Sequence, residues 1–111
     1  MNLGELVRHL PGVEDLRGAD VPIASVRADS RCVEPGDVFV AIPGLHVDGH
    51  RFIGQALRAG ALAVIGERSA EDAGAREDAG FGYVQVLDAR RAWGWACAAV
   101  KGFPSRELTL I

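Results

Sequence analysis

An α/β fold is predicted, a single small domain whose mixed or parallel sheet is flanked by helices, and two features of the sequence carry that prediction. The run Val38-Phe39-Val40-Ala41-Ile42 is apolar without alternation, as expected of a strand covered on both faces in a parallel sheet. A second short apolar run, 61–65 (ALAVI), follows it across a stretch with helical spacing, so residues 37–65 form a β-α-β unit. The 111 residues suit one domain, 1–111, large enough to hold a core without disulfide or metal staples.

In chain order, Leu3, Leu6, Val7 and Leu10 recur at three- and four-residue spacing, the stripe of a short amphipathic helix that Pro11-Gly12 ends. Residues 13–19 show no period and are expected to form a loop, and 21–28 (VPIASVRA) a strand. Glu34-Pro35-Gly36-Asp37 has the composition of a turn, with proline pre-setting one dihedral and glycine supplying the unusual one. Pro43-Gly44 stops the strand 38–42. Asp48 is the expected N-cap of a helix over roughly 49–59, with Phe52, Ile53, Ala56 and Leu57 on its apolar face and Gly60 just past its end.

Residues 66–80 are charged and rich in alanine and glycine, and are expected to be a solvated loop or short exposed helix without chemistry. Residues 83–87 read as a strand. Asp88 then caps a helix bearing Ala92, Trp93, Ala96, Cys97 and Val100, which breaks at 102–105 (GFPS). Trp93 lies on the apolar stripe, whereas Trp95 points to another face. The final apolar residues, 108–111, read as the start of a strand cut from a longer protein.

Composition excludes several functions. The net charge is −3 and the basic residues, all arginine except Lys101, form no run or stripe, which argues against nucleic acid and against a polybasic membrane contact. No apolar span approaches a transmembrane length of about 20 residues. The first residues carry no secretory pattern, so a cytoplasmic protein is expected. Cys32 and Cys97 make no metal-ligand spacing and read as reduced thiols.

Two polar clusters flank the central strand. Asp29-Ser30-Arg31 offers a hydroxyl, backbone N–H groups and a guanidinium fork that suit a phosphate or ribose. The same residues are equally those of an ordinary turn in which Asp29 or Ser30 caps its own backbone. The loop 44–50 leads into a helix N-terminus, an arrangement that suits a diphosphate. His46-x-Asp48-x-His50 gathers metal-ligand types, but a loop running into a helix does not set them on one face, so no metal site is assigned. A Ser30/His50/Asp48 triad lacks the nucleophile elbow, and neither a P-loop nor a dinucleotide fingerprint occurs. No catalytic residue is assigned.

Taken together, DSR-x-V-x-P-G-D-V-F-V-A-I-x-G, then DGH-x-FI, then A-x-x-x-GA-x-A-V-I resemble the N-terminal domain of the Mur ligases of peptidoglycan synthesis. Among these, the pattern most resembles the E-type, which adds meso-diaminopimelate or lysine to UDP-N-acetylmuramoyl-L-alanyl-D-glutamate. The F-type, which adds D-alanyl-D-alanine, shares the DSR and DGH signals and is the alternative within the family. Outside it, a stand-alone α/β interaction module is the alternative. The run 103–111 resembles the family's approach to its ATP loop.

The resemblance implies a substrate-anchoring domain of an ATP-dependent amide ligase. Ala28 and Ser30 would contact the uridine diphosphate, with Leu45, His46 and Val47 in the loop that touches the nucleotide. Arg31, Asp48 and His50 take secondary, loop-shaping roles. ATP and magnesium would belong to a central domain, and that domain and a C-terminal one are the implied partners. By itself, the 111-residue chain would be inactive.

Overall fold

The computed structural model describes residues 2–42, 53–69 and 81–108, of which Ser30 and 101–108 by backbone alone. The elements are α1 (Leu3–Val7), β1 (Val13–Arg17), β2 (Val26–Arg27), a 3-10 turn at Ser30–Cys32, β3 (Val38–Val40), α2 (Ile53–Arg58), β4 (Ala63–Gly66), β5 (Gly82–Val86) and α3 (Ala89–Leu108). They build one five-stranded sheet in the order β1-β5-β4-β3-β2. Strands β2, β3, β4 and β5 are parallel, and β1 pairs antiparallel with β5. The mixed α/β sheet and the β3-α2-β4 unit expected from sequence are both present.

Because successive side chains of a strand point to opposite faces, the unalternating apolar strands feed two cores. On one face Val38, Val40, Ala63, Ile65, Val84 and Val86 pack with α1 and α3 through Leu3, Leu6, Ala92 and Ala96. On the other, Phe39, Val64 and Tyr83 pack with Ile53 and Ala56 of α2 and with Val33. Every residue of β3 and β4 is buried. Trp93 packs against the first core, while Trp95 is 52% exposed.

Several boundaries differ from expectation. Residues 13–19 contain a strand, not a loop. Val13 and Leu16 pack against the core, but the register slips between Val13 and Asp15, so they are three apart and the alternation that marks a strand is lost. The strand expected over 21–28 shrinks to Val26–Arg27. Pro22, which has no N–H for a ladder, only bridges to Asn2. α3 continues through Gly102 and Pro104 to Leu108, where a break was expected. That leaves Leu108 in a helix instead of a strand. The expected Asp48 cap lies outside the described residues.

Gly60 ends α2 at φ +111°, as its place after the helix requires. A Cβ there would stand 2.6 Å from the Pro35 Cα. Gly36 N–H donates to the Gly60 carbonyl at 2.9 Å, and Leu62 N–H to the Asp37 carbonyl at 2.9 Å. The turn before β3 is thus seated directly on the end of α2.

Candidate functional site: one edge of the parallel sheet

Parallel strands deliver their C-terminal ends to one edge of a sheet, and open α/β sheets bind ligands in the crevice beyond it. Here four chain exits share that edge: Ala28 after β2, Ala41-Ile42 after β3, Glu67 after β4 and Leu87-Asp88 after β5. β2 and β3 are neighbours in register, Val26 opposite Val38 and Arg27 opposite Phe39. Ala28, leading into Asp29-Ser30-Arg31, therefore leaves the sheet at the level of Val40, two residues before Ile42, on the same edge from which the chain enters the loop predicted to complete the site. Leu45, His46, Val47, Asp48 and His50 lie outside the described residues.

The β2 exit turns at once. Asp29 is extended and caps the Ser30–Cys32 turn, its Oδ1 accepting from Arg31 N–H at 2.9 Å, and Cys32 N–H donates to the Asp29 carbonyl at 2.9 Å. The capping reading of this turn is thus realised. Arg31 folds back on the same carboxylate, Nε to Oδ1 at 3.2 Å and Nη2 to Oδ2 at 3.0 Å. Hydrogen bonds from the Arg31 side chain, then from its backbone, hold the Asp29 carboxyl below the ordinary carboxylate range, and the same partner raises the guanidinium. Arg31 thus enters the site already paired, its charge balanced by its neighbour, though the side chain remains 81% exposed.

The other end of the edge is closed by the protein itself. The Glu67 carboxylate accepts from Ala89 N–H at 2.8 Å, and Asp88 Oδ1 accepts from Arg91 N–H at 3.0 Å. Two of the free N–H groups of the α3 N-terminus are thereby occupied by carboxylates, which also repel an incoming anion. The buried Tyr83 donates its hydroxyl to the Arg68 carbonyl at 2.7 Å and pins the same strap. Residues 66–80 are expected to be a solvated loop or short exposed helix without chemistry, and within them Glu67 and Arg68 carry structural hydrogen bonds that this expectation does not include. A glutamate 22 residues upstream of the helix it caps leaves no local spacing to detect.

The sequence likewise marks Asp37 only as a turn residue. It is 3% exposed, and its Oδ2 accepts from Glu34 N–H at 2.9 Å and Arg27 Nε at 3.3 Å. Of the cysteines, Cys32 is exposed and Cys97 is half-buried, and neither is in a disulfide. Among the described residues no group of three His, Cys, Asp or Glu side chains could hold a metal ion, and no helix is long and apolar enough to cross a membrane.

An open mixed α/β sheet covered on both faces, with one end of its carboxyl edge sealed and the other formed by two neighbouring chain exits, defines a small compact α/β domain. Comparison with known proteins identifies its kin: the family described as Mur ligase family, catalytic domain, matches residues 22–101, and the chain belongs to the Mur ligase family. It is 39% identical over 113 residues to the UDP-N-acetylmuramoyl-L-alanyl-D-glutamate–2,6-diaminopimelate ligase of Chlorobium phaeobacteroides, covering 100% of this chain and 22% of that protein. A UDP-N-acetylmuramyl-tripeptide synthetase of Deinococcus radiodurans is also 39% identical, with the same coverage. The chain thus spans about a fifth of the length of these relatives. Among solved structures it resembles MurF of Acinetobacter baumannii, with a TM-score of 0.65 and 28% identity over 86% of this chain and 20% of that one.

Proposed function

We propose that this domain anchors the uridine diphosphate end of UDP-N-acetylmuramoyl-L-alanyl-D-glutamate for an ATP-dependent, amide-forming ligase of peptidoglycan synthesis acting in the cytoplasm. The observation that carries the reading is the parallel pairing of β2 with β3, which sends the Ala28–Ser30 exit and the Ile42 exit out of neighbouring strands at the same edge. Ala28 and Ser30 contact the nucleotide from one exit, Leu45, His46 and Val47 from the other, with Arg31, Asp48 and His50 shaping the two bends. The chemistry belongs elsewhere: ATP and magnesium are held by a central domain, and the incoming amino acid by a C-terminal one. A remote handle of this kind supplies binding energy that orients the reacting carboxylate.

The diaminopimelate- or lysine-adding type is favoured by the names of relatives 39% identical over the whole chain. The D-alanyl-D-alanine-adding type is the second reading, favoured by the fold likeness to MurF at 28% identity.

Titration of the chain with UDP, following the backbone amides around Ser30 and His46, tests the anchor. Ser30→Ala is expected to weaken binding about fivefold, the loss of roughly one hydrogen bond, with the fold intact. If the variant unfolds while its folded fraction binds as before, Ser30 is a structural turn residue. Wild-type amides that do not move at millimolar UDP would overturn the anchor itself.

A further inference from the structure

Asp37 is the buried charged residue among the described side chains, and it stands just before β3. Removing a carboxylate from water is costly unless it is paired, and closing the 34–37 turn needs only a neutral acceptor such as asparagine. The partner that calls for a carboxylate is Arg27, the last residue of β2. Arg27 and Asp37 are ten residues apart, and everything between them is the crossover that carries Ala28, Ser30 and Arg31. Their 3.3 Å contact therefore ties the two ends of that crossover together at its base. Val38 N–H to Ser25 carbonyl at 2.8 Å and Ala24 N–H to Gly36 carbonyl at 2.9 Å hold the same base through the backbone.

We infer that Asp37 is a positioning residue for the nucleotide site, acting through Arg27 to fix the end of β2 from which Ala28 and Ser30 depart. The inference rests on the uridine diphosphate reading. A crossover closed at its base arrives at the ligand already ordered, whereas one with a free end must be ordered on binding, and affinity falls by that cost. Asp37→Asn keeps an acceptor for Glu34 N–H and removes the attraction to Arg27, so it separates turn closure from clamping.

The experiment titrates UDP into the 111-residue chain and its Asp37→Asn, Arg27→Gln and doubly substituted variants, with the folded fraction of each measured by its amide spectrum. Each single variant is expected to bind UDP about tenfold more weakly per folded molecule, and the double variant no more weakly than either, because the pair acts as a unit. Unchanged affinity in variants that only melt earlier would overturn the inference and make Asp37 a turn residue. Should Asp37→Asn not fold, Arg27→Gln at its half-exposed position makes the same comparison. Wild-type protein that ignores UDP defeats the anchor reading and this inference together. Wild-type protein that binds, with singly substituted variants that bind equally well, defeats only this inference.

Discussion

The two ends of the carboxyl edge follow one topology and reach opposite outcomes. At the β4–β5 end, the strap after β4 folds over the start of α3, and Glu67 and Asp88 occupy the N–H groups of Ala89 and Arg91. At the β2–β3 end no helix start is sealed in this way among the described residues. The exit after β2 is a short turn capped by Asp29, and its neighbour is the exit at Ile42. A helix N-terminus is often the anion site of an α/β fold, yet that of α3 has two of its N–H groups taken by the protein's own carboxylates. On the proposed reading the ligand takes the β2–β3 end, where the described exit after β2 is a turn.

The largest expected effect comes from breaking the seat beneath the open end. Gly60→Val requires a β-branched residue at φ +111° and drives its Cβ into the Pro35 backbone at 2.6 Å. A loss of about 3 kcal/mol or more in unfolding free energy is expected by denaturant titration, since both the backbone conformation and the close approach fail together. A loss below about 1 kcal/mol would mean that the turn before β3 is not seated on α2 as described.

The sealed end sharpens the contrast with a smaller change. Glu67→Ala removes a charge-assisted hydrogen bond to a helix N-terminus and is expected to cost about 1–2 kcal/mol, and Asp88→Ala about 1 kcal/mol. Neither should alter UDP affinity per folded molecule, because both act at the opposite end of the edge. If either substitution changed nucleotide affinity severalfold, the division between a sealed and an open end would fail.

What could be read from sequence follows the range of the interactions. The central strands were legible because burial on both faces removes alternation, and 38–42 and 61–65 show that directly. Gly60 was legible because a helix end imposes its demand on the next residue. β1 was not, since a register slip between Val13 and Asp15 hides its period. The Glu67 cap and the Arg27–Asp37 pair were invisible for a different reason: each joins residues that only the finished sheet brings together. In the candidate site, the DSR stretch was legible as a turn that caps its own backbone through Asp29. That Arg31 would be held by Asp29, two residues away, was geometrically possible from sequence but not required by it.

That local pairing leads to the smallest expected effect, a pH dependence confined to acid. Asp29 is held below its ordinary value chiefly by the Arg31 side chain and next by the Arg31 amide. In the unfolded chain the carboxyl titrates near its usual value of about 3.9. Between that value and the lower folded one, the unfolded state binds more protons, so stability rises with pH across this window. The contribution is complete above the unfolded value and disappears as pH falls through the folded one. Because the pair is exposed to solvent, the change in stability is small and fades with added salt. Its functional sign is the opposite. Protonating Asp29 weakens its hold on Arg31, so an isolated diphosphate should gain a cationic contact at this end as pH falls, to the extent that the phosphate stays ionised. A carbon-detected titration of the Asp29 carboxyl in wild type and Arg31→Gln is expected to show the folded value rising toward normal in the variant. Equal values in the two proteins would mean that Arg31 is not held by Asp29 and already stands free to meet an anion.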